Sequence, residues 1–180
     1  MHEQMMQVFE KSEVLLSETQ VLEGISRLGK EITKDLQGSD LIVICVMNGG
    51  LVFCGQLMTK LKFPLRQDYV HVGRYGDTTS GGRLRWKQEP NLKLENKTVL
   101  IVDDILDEGA TLKSIIEYCQ QAEAKEVKTA VLLDKQHARK VSPNFKADYC
   151  AFEIEDKFVF GFGLDYKGYW RNAPGIYALT

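Results

Sequence analysis

The sequence predicts an α/β fold in which a central, mostly parallel and twisted sheet is flanked by helices. Three apolar runs support this prediction, at 41–46, 98–102 and 127–133. None of them alternates between apolar and polar residues, and this pattern is typical of strands buried on both faces of a parallel sheet. The first two runs are each followed by a glycine-containing turn and a helical repeat of apolar residues. This is the order expected of parallel strands joined by crossover helices.

Length, charge and cysteine content narrow the class of protein. The 180 residues suggest one domain over 1–180, and a fold of this size buries roughly 70% of the surface of its unfolded chain. The net charge is −2 and Lys and Arg are spread along the chain, so we expect no nucleic-acid partner. No apolar run approaches the ~20 residues of a membrane span, and the four cysteines form no Cys-x-x-Cys pair. We therefore expect a cytoplasmic protein with reduced thiols and no membrane partner.

The N-terminal half begins with a helix and a strand. Ser17 to Gln20 form a capping box, and the helix that follows is predicted to end at Gly38. The strand at 41–46 leads into Met47-Asn48-Gly49-Gly50 and a helix-like segment at 51–61. An ordinary tight turn explains two adjacent glycines at least as often as an anion site does. The place of this turn, at the same sheet edge as the acidic residues described below, favours the anion site.

A long glycine-rich connection follows the strand predicted at 68–72. Residues 73–82 contain four glycines and precede a strand-like segment at 83–87. Connections this long and polar are usually mobile lids or disordered segments. Tyr75 favours a lid, because an aromatic ring there could cover a reacting centre and exclude water. The sequence leaves both alternatives open.

The stretch from 99 to 112 says most about chemistry. Its strand ends in Asp103 and Asp104, where the carboxyl ends of parallel strands meet the ligand crevice of an open α/β sheet. Two ionised carboxylates are acceptors only, and a sugar diol is a matching pair of donors. The turn at 107–111 then leads into a helix, whose free amides and macrodipole would form an anion site. The simpler alternative is that Asp107 is a helix N-cap and the acids are a solvated strand end.

The C-terminal third offers fewer signals. The strand at 127–133 is followed by Asp134 and Lys135, and a lysine there is either a solvated charge or a donor to a ligand carbonyl. We expect His137 to be exposed, because the three histidines have no metal-ligand spacing. Further strands are predicted at 149–152, at the aromatic-rich 158–162 and, as an edge strand, at 176–179.

The central stretch resembles a known family motif. An apolar strand, two acids, two apolar residues and Asp-x-Gly-x-Thr, at 98–111, resemble the motif with which the type I phosphoribosyltransferases bind 5-phosphoribosyl-1-pyrophosphate (PRPP). Lys135, the segment 156–159, and Leu164-Asp165-Tyr166 with Arg171 are similar to the 6-oxopurine salvage branch of that family, the hypoxanthine-guanine phosphoribosyltransferases.

The resemblance, which runs from about Glu13 to the end, implies the type I phosphoribosyltransferase fold. That fold has a small hood, here from about 1–16 and 149–180, and a mobile lid loop at about 73–83. The implied reaction is magnesium-dependent transfer of the 5-phosphoribosyl group from PRPP to N9 of hypoxanthine or guanine. It gives IMP or GMP and pyrophosphate, in purine salvage. Because the family forms dimers or tetramers, we expect a homodimer or homotetramer.

The resemblance also implies a PRPP site with magnesium. Asp103 and Asp104 would hold the ribose hydroxyls directly or through Mg²⁺, and Asp165 would bind a magnesium ion on the pyrophosphate. The 5′-phosphate would lie on a single turn, made of Asp107, Glu108, Gly109, Ala110 and Thr111. The pyrophosphate would contact Asn48 and Gly49 in a pyrophosphate loop at 47–50, where the family has a cis peptide before position 48. It would also contact Arg74 of the lid and Arg171.

The purine site is implied in the same way. Asp107 would face N7 of the purine and manage its proton as the bond from N9 to C1′ forms, and Tyr75 would complete the catalytic pair. Lys135 would donate to the 6-oxo group; an ammonium group has no acceptor, so adenine should be a poor substrate. Phe158 would stack on the base, the backbone of Val159 would meet its edge, and Asp165 would lie nearby.

Three residues depart from the family pattern. Arg74 stands where the family usually has serine, Asn48 where it usually has lysine, and Glu108 where it usually has threonine. One cation is thus lost in the pyrophosphate loop and one is gained in the lid. A carboxylate beside a phosphate is repulsive, so we expect the side chain of Glu108 to point away from the phosphate, which backbone amides and Thr111 would hold.

Two alternatives to this enzyme remain at the sequence level. A regulatory protein of the same fold could sense PRPP or nucleotides and contact RNA or DNA, but it would need a basic face or an added DNA-binding domain. An enzyme of the same family could transfer the phosphoribosyl group to another base, such as xanthine or a pyrimidine. Assaying product formation with a panel of bases separates these alternatives.

Overall fold

A computed structural model of the protein describes residues 2–74 and 84–179. The helices are α1 (His2–Glu10), α2 (Glu18–Leu36), α3 (Gly50–Met58) and α4 (Ala110–Gln121). The strands are β1 (Glu13–Leu16), β2 (Leu41–Met47), β3 (Arg66–Arg74), β4 (Leu84–Gln88), β5 (Thr98–Leu106), β6 (Glu126–Gln136), β7 (Tyr149–Glu155), β8 (Val159–Phe160) and β9 (Ile176–Ala178). The predicted α/β class is confirmed.

The larger sheet is mostly parallel, as the sequence predicts. Within the described residues it contains six strands in the order β4-β3-β2-β5-β6-β7, and β4 alone is antiparallel to its neighbour. Leu41, Val43 and Cys45 of β2 pack with α2 and α3 on one face. Ile42 and Ile44 pack on the other face with residues of α4. Burial on both faces explains why this strand is apolar throughout.

A second sheet forms the hood. The first and last strands of the chain pair in it, in the order β1-β9-β8. Helix α1 covers this sheet, where Phe9 stacks on Trp170 at a ring distance of 4.6 Å and the indole N–H of Trp170 donates to the carbonyl of Met5 at 2.9 Å. The hood begins later on its C-terminal side than the expected residue 149. Strand β7 pairs with β6 in the larger sheet, so the C-terminal part of the hood starts at β8.

Several element bounds differ from the sequence-based expectation. Helix α3 ends at Met58 instead of continuing to 61, and β6 extends to Gln136 because its last residues still pair with β7. The strand predicted at 158–162 is confined to β8, since the backbone turns at Gly161, which has a φ of 100°. The capping box of α2 is confirmed by reciprocal contacts between Ser17 and Gln20.

The predicted lid lies largely outside the described residues. Strand β3 runs to Arg74 and β4 begins at Leu84, and Tyr75 falls between them, as does the rest of the segment 75–83. The side chain of Arg74 is likewise outside the described part. None of the described helices is long and apolar enough to cross a lipid bilayer.

Asp68 joins β3 to the chain that follows β4. Its carboxylate accepts the backbone N–H groups of Tyr69 (2.8 Å), Asn91 (2.6 Å) and Leu92 (2.7 Å), and only 5% of the residue is exposed. Burial by itself would raise the pKa of Asp68, but these N–H donors stabilise the charged form and place the pKa below its ordinary value. The ionised carboxylate therefore stabilises the folded edge of the sheet.

Replacing Asp68 with Asn should lower the free energy of unfolding at pH 7 by about 1–3 kcal/mol, because an amide cannot accept these N–H groups as a carboxylate does. The folded-state pKa is below the unfolded one, so the wild type has the full contribution above the unfolded pKa and loses it as pH falls through the folded pKa. Urea denaturation at pH 7 and pH 3 measures both effects. Asp40→Asn, which removes an exposed carboxylate paired with Arg66 and Lys97, is the control and should change stability much less.

Candidate active site

Two adjoining cavities lie at the carboxyl ends of the central strands. Strand β2 has β3 on one side and β5 on the other, so the strand order reverses direction at β2. Such a topological switch point is where open α/β sheets bind ligands. One cavity, of about 300 Å³, is lined by the predicted metal ligand Asp165 and by predicted PRPP residues: Gly49, Asp103, Asp104, Asp107, Glu108, Gly109, Ala110, Thr111 and Arg171. The other, of about 230 Å³, is lined by predicted purine residues: Lys135, Phe158, Val159 and Asp165. Asp104, Ile105, Asp107 and Asp165 line both.

The turn before α4 has the geometry of an anion site. Gly109 is the N-cap of the helix and has a φ of 89°, and α4 begins at Ala110. Asp107 is therefore not the N-cap, and the simpler interpretation of the sequence is wrong. A Cβ on Gly109 would lie 2.7 Å from the ring of Phe145, so both the backbone and the packing require glycine here. The amides at the start of α4 line the larger cavity, where the helix dipole favours negative charge.

Asp103 and Asp104 are adjacent near the carboxyl end of β5, which continues to Leu106 instead of ending at these acids as expected. Each carboxylate accepts the next backbone N–H, from Asp104 at 2.9 Å and from Ile105 at 2.8 Å. Burial raises the pKa of both, and the charge of Asp104 raises the pKa of Asp103 further. The nearby guanidinium of Arg171 opposes this effect at Asp104. The pair is thus short of positive charge and of hydrogen-bond donors.

This donor set fits a magnesium ion that is shared with a substrate. No group of three or more His, Cys, Asp and Glu among residues 2–74 and 84–179 is placed to hold one metal ion. Mg²⁺ is usually bound through one or two carboxylates together with water and substrate phosphates, so the pair Asp103 and Asp104 is sufficient protein ligand for it.

Gly49 and Gly163 allow close packing around the loop at 47–50, the predicted pyrophosphate loop, which contacts Asp104. A Cβ on Gly49 would lie 1.9 Å from Oδ2 of Asp104, and a Cβ on Gly163 would lie 2.1 Å from the carbonyl oxygen of Gly49. Gly163 also has a φ of 107°, which favours glycine. The sequence indicated Gly49 but not Gly163, because only the left-handed backbone and the close approach reveal the second requirement. The Met47–Asn48 peptide bond is cis, as the family resemblance implied.

Arg171 is held at the mouth of the larger cavity. Its Nη2 lies 2.6 Å from Oδ1 of Asp165, and its Nη1 donates to the carbonyl of Gly163 at 2.6 Å. The other carboxylate oxygen of Asp165 accepts the N–H of Gly168 at 2.7 Å. Each carboxylate oxygen keeps acceptor capacity for a further ligand, since it has two lone pairs. The predicted side chains Asp165 and Arg171 are therefore oriented by each other.

The smaller cavity combines a buried cation with an open aromatic ring. Only 11% of the Lys135 side chain is exposed, so the interpretation of this lysine as a solvated charge is wrong. Its Nζ lies 3.4 Å from Oδ2 of Asp107. Phe158 is 53% exposed and contacts Tyr166 edge-on at 5.8 Å, which leaves a ring face accessible. A planar ring with a carbonyl fits between these groups, because aromatic faces stack and the ammonium donates.

The expectation that His137 is exposed is wrong. Only 4% of its side chain is exposed, and its Nε2 lies 2.5 Å from Oδ1 of Asp107. The reason is the extra length of β6, which carries the chain to Gln136 beside the turn that contains Asp107. Asp107 is 30 positions away in sequence, so no local pattern indicates this contact.

Comparison with known proteins identifies the family. The family model of the phosphoribosyl transferase domain matches residues 12–167 of the sequence. The hypoxanthine-guanine phosphoribosyltransferase of Streptococcus pneumoniae is 37% identical over 167 residues, which are 92% of each chain. The chain belongs to the hypoxanthine-guanine phosphoribosyltransferases.

Solved structures of hypoxanthine phosphoribosyltransferases have the same fold. The crystal structure of the Staphylococcus aureus protein gives a TM-score of 0.88 at 37% identity over 93% of this chain and 91% of that chain. A variant of the Trypanosoma cruzi protein, in a ternary complex with substrates, gives a TM-score of 0.88 at 32% identity over 95% and 97% of the two chains. The hood made from the two ends of the chain is thus part of the hypoxanthine-guanine phosphoribosyltransferase architecture.

Gly163→Ala should destabilise this phosphoribosyltransferase more than Gly168→Ala does. Both glycines have positive φ, at 107° and 84°, so both variants incur a similar backbone cost of about 1 kcal/mol. Only at Gly163 would the new Cβ meet another backbone, whereas nothing lies within 4 Å at Gly168. Urea denaturation of the two variants measures the difference in unfolding free energy. Equal losses would contradict the close packing of Gly163 on Gly49.

Proposed function

We propose that this protein is a purine-salvage hypoxanthine-guanine phosphoribosyltransferase. It transfers the 5-phosphoribosyl group of PRPP to N9 of hypoxanthine or guanine and releases IMP or GMP and pyrophosphate. The observation that carries this proposal is that Asp107 lines both cavities, between an acid pair with an anion turn and a buried lysine with an open aromatic ring. Such an arrangement supports binding of a phosphorylated sugar and a 6-oxopurine on the two sides of one carboxylate.

In this proposal PRPP occupies the larger cavity. Its 5′-phosphate accepts hydrogen bonds from the backbone amides at the start of α4, where Gly109 is the N-cap. Its ribose hydroxyls donate to the carboxylates of Asp103 and Asp104. Its pyrophosphate lies toward Arg171, whose guanidinium is oriented by Asp165, and toward the backbone of Asn48 and Gly49. We assign Arg74 a further contact with the pyrophosphate, because it stands at the family's serine position and a guanidinium can bind phosphate through two hydrogen bonds.

Magnesium is part of the same proposal. Asp103 and Asp104 would hold one ion, because burial raises the pKa of both carboxyl groups, the charge of Asp104 raises the pKa of Asp103 further, and a divalent cation would stabilise their charged forms. Asp165 would hold a second ion, because its carboxylate oxygens keep acceptor capacity beside their contacts with Arg171 and Gly168. When bound, magnesium neutralises the negative charge that develops on the leaving pyrophosphate.

The purine occupies the smaller cavity. Lys135 donates to the 6-oxo group, Phe158 stacks on the ring, and the backbone of Val159 contacts the edge of the base. Asp165 lines the cavity beside them. Because Lys135 is mostly buried, a base that cannot accept its hydrogen bond leaves an unpaired ammonium group, which is costly.

The chemical step needs one base in addition to these binding groups. The bond from C1′ to the pyrophosphate oxygen breaks as the bond from N9 to C1′ forms, and the purine loses the proton on N7. The carboxylate of Asp107 accepts that proton, since Asp107 lies between the two cavities. Positive charge develops on the ribose, so water must be excluded, and this role is assigned to the lid with Tyr75 from the resemblance alone.

Two further expectations belong to the proposal. The thiols Cys45, Cys54, Cys119 and Cys150 are free, which supports a cytoplasmic location. Leu51 and Tyr69 are exposed beside the pyrophosphate loop and line an apolar cavity with Met47. Exposed apolar side chains grouped in this way support a homodimer or homotetramer that forms through this surface. The orientation of Glu108 relative to the phosphate stays a prediction.

Asp107→Asn should reduce turnover by about 10²- to 10⁴-fold, because the amide keeps the shape of the side chain but cannot accept the N7 proton. PRPP binding should stay largely intact. Steady-state kinetics with hypoxanthine measures the first effect, and calorimetric titration with PRPP and Mg²⁺ measures the second. Equal losses of turnover and of PRPP binding would contradict the assigned role.

A panel of bases tests both the activity and the role of Lys135. The wild type incubated with PRPP and Mg²⁺ should form monophosphates of hypoxanthine and guanine, and adenine should be a poor substrate. Lys135→Met, which keeps the length of the side chain without its charge, should raise the KM for hypoxanthine by about tenfold or more. Mass spectrometry of the products identifies every base used. Preference for xanthine or a pyrimidine would assign the protein to another branch.

A further inference from the structure

Five residues around the proposed base form a closed ring of polar contacts. Lys135 bridges Asp107 and Asp156, with its Nζ at 3.4 Å from the first carboxylate and 3.9 Å from the second. Arg139 makes a two-point contact with Asp156, at 2.7 and 2.9 Å. The backbone N–H of Arg139 donates to Nδ1 of His137, at 3.1 Å, and Nε2 of His137 returns to Asp107 at 2.5 Å. The ring joins the anion turn to the segment before Phe158.

The contacts of His137 select one neutral tautomer. A backbone N–H can only donate, so Nδ1 of His137 accepts and carries no proton. The ring proton then lies on Nε2, which points at Oδ1 of Asp107. An ionised carboxylate is an acceptor only, so this arrangement satisfies both partners. A protonated imidazole would place a second N–H against that of Arg139.

Burial separates the two sides of the Asp107 carboxylate. His137 is almost completely covered, whereas 45% of the Asp107 side chain is exposed to the cavities. Oδ1 is therefore held from inside the protein by His137, and Oδ2 lies on the side of Lys135 and the purine cavity. The charged groups that face the histidine are Asp107 and Asp156, with Lys135 and Arg139 between them.

We propose that His137 is a positioning residue for the proposed general base Asp107, which rests on the function proposed above. Its Nε2–H donates to Oδ1, fixes the rotation of the carboxylate and leaves Oδ2 directed at N7 of the purine. A hydrogen bond to a charged group of this kind is strong and directional. Through the backbone of Arg139, the same residue links the orientation of Asp107 to Asp156 and thus to the segment that carries Phe158 and Val159.

The first experiment reads the tautomer directly and needs no activity. Long-range ¹H–¹⁵N spectra of the uniformly labelled protein at pH 8 show the ring nitrogens of the three histidines. His137→Met identifies the signal of His137 by its disappearance. A neutral ring protonated at Nε2 is the expected result. A ring protonated at Nδ1, or one that averages between both forms, would overturn the proposal even if the protein is an active phosphoribosyltransferase.

The second experiment separates positioning from packing. His137→Met removes the donor, and His137→Gln keeps an N–H₂ group at the same number of bonds from Cα. We expect Met to lower kcat for hypoxanthine by about tenfold with the KM for PRPP unchanged, and Gln to recover most of the loss. If Met leaves kcat unchanged, or if Gln is as impaired as Met, His137 does not position the base. Absence of turnover in the wild type would refute the proposed function. The tautomer spectra would then decide separately whether Nε2–H of His137 donates to Asp107.

Discussion

The structure depends on two adjacent carboxylates that the end of β5 brings into a partly buried site. Burial raises the pKa of Asp103 and Asp104, and each group would be more stable in water than where the fold places it. The free energy that holds them comes from the surrounding sheet, because the residues before them in β5 are buried on both faces. The apolar part of β5 thus holds two carboxylates whose charged forms are unfavourable until a cation or a pair of hydroxyl donors binds them.

The glycines around this site follow from the same constraint. The backbone at Gly49 comes so close to Asp104 that any side chain at position 49 would occupy the space of the Asp104 carboxylate. Gly163 allows the next segment to cover Gly49 in turn, and Arg171 is anchored on the carbonyl of Gly163. Segments distant in sequence are therefore in successive contact: the carboxyl-terminal part of β5 with the loop at Gly49, and that loop with the segment at Gly163.

The parallel sheet and most of the candidate site residues could be predicted from the sequence. The contacts that could not be predicted join residues far apart in the chain. The apolar runs predict that Asp103, Asp104 and Lys135 lie near the carboxyl ends of strands, although β5 continues to Leu106 and β6 to Gln136. The burial of His137 could not be predicted, since it depends on how far β6 extends and on a partner 30 positions away. Helix α1 carries only a weak apolar pattern, and its contact with Trp170 spans 165 positions. Long-range contacts of this kind leave no periodicity in the sequence.

The pairing of β1 with β9 has a consequence for the order in which the protein is made. Strand β1 is synthesised before every strand of the larger sheet, and its partner β9 is synthesised after all of them. The larger sheet, whose strands all precede β8, can assemble while β1 is still unpaired. The hood can therefore close only after β9 has been synthesised, and the wall of the smaller cavity that contains Val159 is completed with it. A nascent chain can thus form the Asp103–Asp104 pair and the turn before α4 ahead of the segment that carries Asp165 and Arg171.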